Sequence, residues 1–300
     1  MKILERIKIL PKKKEINTKF QVLILKNNIS KNSYNGKILG RSLVDWVAFA
    51  CNGLNIKVLE YESKNNIISF VKDYISGDFD YTIILLSNSP LLTQNTIKNI
   101  IEYCCIKQIN LCKLPSGYVA NNQYLLNVQT PQVDSLYSQN LEDFFVVENK
   151  KQYVQAEEIL QDRINTFHIG NGVEIRKPKS VYIEPEVDIA SNVVIFPGNC
   201  LKGQTVIDDG VILKENNVIE NSKIGNNSCI SGSVINNSIV SSHVYISTFC
   251  NIERSVIGEN TTLESGCKIY NYKLNSNSRI KCNSTLGECD DCNSGVGKSR

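Results

Sequence analysis

The sequence predicts two structural classes in one chain: an α/β domain, then an all-β solenoid of six-residue units. Three observations carry this. From Val181 onward, aliphatic residues recur every six positions at Ile183, Ile189, Ile195, Leu201, Ile207, Leu213 and Ile219. Between Phe20 and Tyr103, short apolar runs of buried-strand type alternate with stretches of helical spacing. Between the two regions, Lys150 to Phe167 places Tyr153, Ala156, Leu160, Ile164 and Phe167 on one helical face.

Seven straight hits at a step of six come to about 10⁻⁴ per register by chance, so the pattern is a true repeat. It continues through Ile224, Ile230, Ile235, Val240, Ile246, Ile252, Ile257, Leu263, Ile269, Leu274, Ile280 and Leu286, with some steps shortened to five. Ser222, Ser233, Ser238 and Ser255 each stand two residues before an aliphatic reached by a short step, where a small hydroxyl suits a tightened corner. A period of six fits neither a helix face nor a half-buried strand. It fits a coil with three short sides, each turning one aliphatic inward to stack on its equivalent one coil away. The ladder then makes about six coils, roughly 29 Å long at a strand spacing of about 4.8 Å. Asn216-Asn217, Asn226-Asn227, Asn236-Asn237, Gly198, Gly203, Gly210 and Gly266 are residue types that suit the corners.

The 300 residues, 42% hydrophobic and 21% charged, suit two domains with a substantial core. A net charge of +3, with both signs spread along the chain, implies neither nucleic acid nor membrane as a partner. The N-terminus interrupts its apolar residues with charges, unlike a secretory core, and no apolar run approaches a transmembrane span. A cytoplasmic protein with reduced thiols is therefore expected from its 11 cysteines.

Residues 1–19 read as a basic N-terminal arm. From there Gln21–Leu25, Ile56–Tyr61 and Tyr81–Leu86 read as strands, alternating with helices over Ser42–Cys51, Ile67–Ile75 and Thr93–Tyr103. That alternation argues a doubly wound sheet that takes ligands at the carboxyl ends of its strands. The expected division is 20–149 for the α/β domain, 150–168 for a linking helix, 169–286 for the solenoid and 287–300 for a tail.

Three segments carry a resemblance. Asp80-Tyr-Thr-Ile-Ile-Leu-Leu-Ser-Asn-Ser-Pro-Leu-Leu-Thr93 looks like the end of the metal-bearing strand of sugar-phosphate nucleotidyltransferases. Pro115-Ser116-Gly117-Tyr118 resembles their sugar-contacting loop, and Val147-Glu148-Asn149-Lys150-Lys151-Gln152 the segment whose asparagine completes the metal site. Followed by a helix and hexapeptide repeats, they resemble the bifunctional UDP-N-acetylglucosamine pyrophosphorylase / glucosamine-1-phosphate N-acetyltransferase family. The likeness runs over roughly residues 80–275. It implies a nucleotidyltransferase-like, Rossmann-like first domain and a left-handed parallel β-helix of hexapeptide repeats, assembled as a homotrimer through the β-helix. It also implies a sugar phosphate or UDP-sugar as ligand, contacted by Asn88, Gly117, Tyr118, Asn149 and Gln152, with magnesium held at Asn88 and Asn149.

The departures from that pattern bear on activity. After Leu25 the chain reads Lys26-Asn-Asn-Ile-Ser-Lys-Asn-Ser-Tyr-Asn-Gly36-Lys37, with one glycine where a phosphate cradle needs several. An ordinary solvated loop is the expected reading there, the alternative being that Lys31 or Lys37 meets a phosphate as a point charge. Asn88 stands where the family carries an aspartate, and two neutral amides make a weak magnesium site. Acetyl transfer needs a positioned proton acceptor, yet the chain has only His168, read as structural, and His243. His243 precedes the inward Ile246 and is expected to face outward, where it is the candidate base of an acyltransferase. Cys282, Cys289 and Cys292 are too few for a zinc site, and acetyl-CoA is not expected. The sequence thus suggests a degenerate and C-terminally truncated relative that binds its ligand with catalysis weakened or lost. The alternative is a non-catalytic trimeric scaffold or regulator of an intact paralogue.

Overall fold

The computed structural model describes residues 18–27, 36–62 and 66–288. Most of the basic arm, Lys31 with its loop, Cys289, Cys292 and the chain end lie outside the described residues. Packing divides the chain into two compact units, Ser42–Tyr153 with the strand before Gly36, and Val154 onward together with Lys37–Arg41.

The first unit begins with β1 (Phe20–Asn27). Two short strands, β2 (Lys37–Ile38) and β3 (Arg41–Ser42), pair with each other and lead to α1 (Leu43–Ala50). Ser42 caps α1, and Asp45 returns the bond to the Ser42 N–H, closing a capping box. There follow β4 (Asn55–Tyr61), α2 (Ile67–Val71), β5 (Tyr81–Leu86) and α3 (Gln94–Lys107), which is capped by Thr93. The unit continues with β6 (Leu111–Leu114), β7 (Gly117–Asn121), α4 (Asn122–Asn127) and β8 (Ser135–Leu136).

The sheet runs β4-β1-β5-β7-β6-β8. β1 pairs parallel with both β4 and β5, which makes the Rossmann-like core, whereas β7 is antiparallel to its neighbours β5 and β6. The β6–β7 hairpin turn at Pro115-Ser116 forces that reversal, since adjacent strands joined by two residues cannot run parallel. Apolar residues cover both sheet faces. Phe20, Val22, Ile24, Ile83 and Leu85 pack with Val47, Ile97 and Ile100 on one side; Leu23, Leu25, Leu59 and Ile84 pack with Val71 on the other.

α5 (Lys150–Gly170) runs on into the second unit. Ala156 and Leu160 are buried as the helical spacing predicts, and Ile164 packs on the solenoid core. Phe167 departs from the prediction and is 65% exposed, while Asn165 and His168 are buried. The reason is polar. Asn165 Nδ2 donates to the carbonyls of Pro178 and Val181, turning the end of α5 toward the first coil.

The solenoid is a three-sided parallel β-helix, and every residue of the predicted ladder lies inside it or at its end. Ile183 through Ile269 are almost wholly buried, with Ile280 and Leu286 packed at the last coil. Ile175, in the strand Glu174–Ile175, extends the ladder one step earlier than the sequence predicts. The three sheets hold seven, six and seven strands, and a central strand defines each: Tyr245–Ile246, Ile239–Val240 and Val234–Asn236. Val194 pairs with Ile212, Ile212 with Cys229 and Cys229 with Tyr245, so successive coils contract from eighteen residues to seventeen and then sixteen.

The four serines of the short steps are buried, and three join one ladder. Ser222 Oγ accepts from the Ser238 N–H (3.0 Å), Ser238 Oγ from the Ser255 N–H (3.1 Å) and Ser255 Oγ from the Tyr272 N–H (3.1 Å). Each hydroxyl also donates to the carbonyl two residues before it, at 2.7 Å. One side chain thus satisfies the N–H that the tightened corner takes out of the strand ladder, and adds a second bond to a carbonyl that the next coil's backbone already meets. At a second corner Ser233 and the buried Cys250 and Cys267 fill the same place, with the thiols bonding to carbonyls of Glu264 and Lys281.

Candidate functional site

The candidate site lies at the carboxyl end of β5. Its strand residues leave through Ser87, whose N–H donates to the Leu25 carbonyl at the end of β1 (3.0 Å). The following residue is Asn88. Its carbonyl accepts from the Val147 N–H at 2.8 Å, which brings the segment ending in Asn149 beside the Asn88 loop. Register in the sheet sets Gly117 opposite Leu85 and Tyr118 opposite Ile84, one strand over at the same end. The structure therefore gathers Asn88, Gly117, Tyr118, Asn149 and Gln152 around one strand terminus, from segments far apart in sequence.

Each has a local reason to be what it is. Gly117 has φ +153°, and a Cβ there would stand 2.1 Å from the Ile84 carbonyl oxygen, so strand approach alone requires glycine. Tyr118 holds the Lys113 ammonium 3.9 Å above its ring and packs beside the core of Leu23, Leu25 and Ile84. Asn149 Oδ1 accepts from the Gln152 N–H (3.0 Å), while Gln152 Oε1 accepts from the Glu148 N–H (2.8 Å). That reciprocal pair caps the first turn of α5. Lys37 instead sits in β2, packed with the second unit.

Two serines that sequence reasoning passed over tie the site together. Ser89 Oγ donates to Ser116 Oγ at 2.9 Å, both buried, clamping the loop after β5 to the β6–β7 turn. Asp143 was also missed. Its buried carboxylate takes bonds from the hydroxyls of Thr93 and Thr96 at the start of α3, where the helix dipole favours a negative charge. The Thr93-x-x-Thr96 spacing marked the cap, but nothing in sequence pointed to the acid fifty residues on.

The donors do not suit magnesium. Asn88 and Asn149 are neutral, and the Asn149 oxygen already holds a helix N–H. Asp80 precedes β5 and accepts from the Lys19 N–H, which places it at the opposite end of the strand. Among the described residues no three His, Cys, Asp or Glu side chains come together as a metal site. Cys282 is exposed at the last coil.

His243 is exposed, at a left-handed corner (φ +57°), with its N–H on the Asn226 carbonyl. Gly210, Asn227, Asn260 and Asn277 hold the equivalent corner in other coils, also at positive φ. His168, at the end of α5, is buried, and burial lowers its pKa against an opposing pull from Asp188.

Comparison with known proteins fits both units. The model of the GMPPB C-terminal domain matches residues 177–288, the solenoid. The bifunctional protein GlmU of Clostridium acetobutylicum is 25% identical over 299 aligned positions, covering 77% of this chain. That of Clostridium novyi is 33% identical over 164 residues, 53% of the chain, and that of Bacillus velezensis 37% over 113 residues, 38% of the chain. The chain is a divergent relative of the GlmU proteins. It spans 65%, 36% and 25% of the length of those three relatives. Among solved structures, the acetyltransferase domain of PglB from Neisseria gonorrhoeae aligns over 89% of this chain and 96% of its own, at 11% identity. Its TM-score of 0.20 is too low to carry any argument about this chain. Among the described residues, no helix is long and apolar enough to cross a membrane.

Proposed function

We propose that the α/β unit binds a sugar phosphate or UDP-sugar at the carboxyl end of β5, with nucleotidyl transfer weakened or lost. The convergence of Asn88, Gly117-Tyr118 and Asn149 on one strand terminus carries this reading, since open α/β sheets bind ligands there. Amide and phenol groups hydrogen-bond sugar hydroxyls, and the Lys113 ammonium above Tyr118 adds a positive charge for phosphate. The weakening rests on the neutral donors. A phosphoryl-transfer metal normally takes one or two carboxylates, and neither amide supplies one.

A second reading, a non-catalytic scaffold or regulator assembled as a trimer through the solenoid, draws support from the use of Asn149 and Gln152 as a helix cap. Acyl transfer by His243 is the third. A corner histidine on the outside of the coil has the access that a base needs, but acetyl-CoA is not part of the proposal.

Calorimetric titration with N-acetylglucosamine 1-phosphate and with UDP-N-acetylglucosamine tests the first reading. Binding of one of them, unaffected by Mg²⁺, is expected. Tyr118→Ala should weaken it about tenfold, near 1.4 kcal/mol, and Asn88→Asp should make it depend on Mg²⁺. Heat from neither ligand would sink the reading. Steady pyrophosphate release from UTP and Mg²⁺ with N-acetylglucosamine 1-phosphate as the acceptor, abolished by Asn149→Ser, which keeps the helix cap, would show that catalysis survives.

A further inference from the structure

One corner column of the solenoid runs Asn199, Asn217, Ser233, Cys250, Cys267 and Ser284, each one coil from the next. Asn217 Nδ2 donates to Asn199 Oδ1 (2.9 Å), and Asn217 Oδ1 accepts from the Ser233 N–H (3.0 Å). Ser233 Oγ accepts in turn from the Cys250 N–H (3.2 Å). Side chains of this column therefore reach from coil to coil, and its next two members are both cysteines.

Among the described residues, no other two cysteines hold equivalent places in neighbouring coils. Asn251 pairs with Lys268, so Cys250 and Cys267, one residue before, are held at strand spacing. That spacing, about 4.8 Å, falls within the about 4.4–6.8 Å that separates the Cα atoms of a disulfide. The two thiols already hydrogen-bond each other. Serine suffices for the corner bonds, as Ser233 shows; two stacked thiols add an oxidisable pair.

Both cysteines are buried. Burial raises both thiols above the ordinary cysteine range, and hydrogen bonds around Cys250 offset this only in part. With the stack closed neither is a thiolate, so neither reacts. Their cover on the open side is the last coil. Cys267 Sγ donates to the Lys281 carbonyl (3.2 Å), and the Lys268 N–H to the Ser284 carbonyl (2.9 Å). No residue from Arg279 to Glu288 is itself buried. A terminal coil with so little buried opens ahead of the rest of a solenoid.

We propose that Cys250 and Cys267 form a redox site, at which a peroxide admitted by opening of the last coil makes a disulfide stapling two coils together. Cys267, directly beneath that coil, reacts first. Its sulfur takes one oxygen of the peroxide as a sulfenic acid, and the other oxygen leaves as water. The Cys250 sulfur then displaces the hydroxyl, which leaves with the Cys250 proton as a second water. Two thiols lose two electrons in all, and one peroxide is reduced to two waters. The reduced pair is the resting state, and a dithiol restores it by exchange. Cys282 is the thiol that exposure alone would select, but the place one coil before it is Ser265, so it has no cysteine to join there.

Hydrogen peroxide treatment of the full chain, then alkylation of free thiols and non-reducing peptide mapping, tests this. A peptide linking Cys250 to Cys267 is expected, and dithiothreitol should remove it. The link should raise the melting temperature by about 5 °C. Leu286→Ala, which loosens the last coil, should speed its formation about fivefold. Cys267→Ser places in the column the residue that Ser233 and Ser284 already use, so it should fold, form no link and show no rise. Cys282→Ser should leave link and rise unchanged. Free thiols at Cys250 and Cys267 after peroxide has oxidised Cys282 overturn the proposal. A link from Cys267 to Cys282, or a linked chain that melts below the reduced one, does so too. An unchanged rate in Leu286→Ala overturns the last coil as the route of entry. Each of these results is independent of ligand binding by the α/β unit.

Discussion

Single residues here answer to more than one demand. Gly117, expected as a sugar contact, is also the only residue type that fits under the Ile84 carbonyl oxygen. Asn149, expected as a metal ligand, also caps α5 through its side-chain oxygen. Local bonds of this kind are invisible to motif matching, because the same asparagine satisfies either use. His168 was legible as structural, and the structure buries it. Its lowered pKa has a consequence for stability. Below about pH 6.5, the ordinary histidine value, the unfolded chain takes up a proton that the folded chain resists, so stability falls as pH falls through that value. Above it both states are neutral and the effect is gone. Melting temperature should decline from pH 7 to pH 5 with a slope that His168→Gln reduces, and equal slopes in the two proteins would remove histidine burial as the cause.

At the scale of elements, hydrophobic period decided the most. The strand Tyr81–Leu86 falls where the apolar run predicts, and α1 begins at its Ser42 cap. α5 shows the limit. Spacing placed Phe167 on the buried face, but Asn165 bonds to the chain that follows and the ring stays outside. Periodicity records which faces are apolar and is silent on a polar side chain claimed by backbone carbonyls. The five-residue steps show the opposite case. Their serines were readable as corner residues, and the structure adds that they bond from coil to coil. Ser238→Ala would strip the buried Ser255 N–H of its side-chain partner, while the Asn236 carbonyl keeps the Arg254 N–H, costing about 1–2 kcal/mol. Urea denaturation measures that loss. A change within error would mean that the corner closes by packing alone.

For the molecule as a whole, the solenoid is a stack in which each coil touches mainly the next, so stability accumulates from neighbour to neighbour. Ile235 is fully buried in the middle of the stack, whereas Ile280 is only partly buried in the last coils. Ile235→Ala should cost about 2–5 kcal/mol as a buried truncation, and Ile280→Ala distinctly less. Comparable losses at both sites would show that the far end is covered in solution. The corner asparagines and glycines contribute by adopting left-handed backbone cheaply, where another L-residue costs about 1–2 kcal/mol. The coil with His243, Phe249 and Arg254 carries that cost three times over.

The sequence by itself determined the coil. An aliphatic every six residues has one low-energy solution, because burying one side chain per short side closes three sides on a shared core, and register follows from the pattern. It determined the α/β core as well, through apolar runs that only a covered sheet satisfies. Tertiary structure alone decided where chemistry gathers: Asn88, Gly117, Tyr118 and Asn149 meet through strand pairing and one backbone bond between Val147 and Asn88. It alone decided that Lys37 packs with the second unit, and that one coil turns His243, Phe249 and Arg254 outward at its corners. Local pattern reports what each stretch must bury, whereas a site depends on which distant stretches end side by side, and that is fixed only when the chain closes on itself.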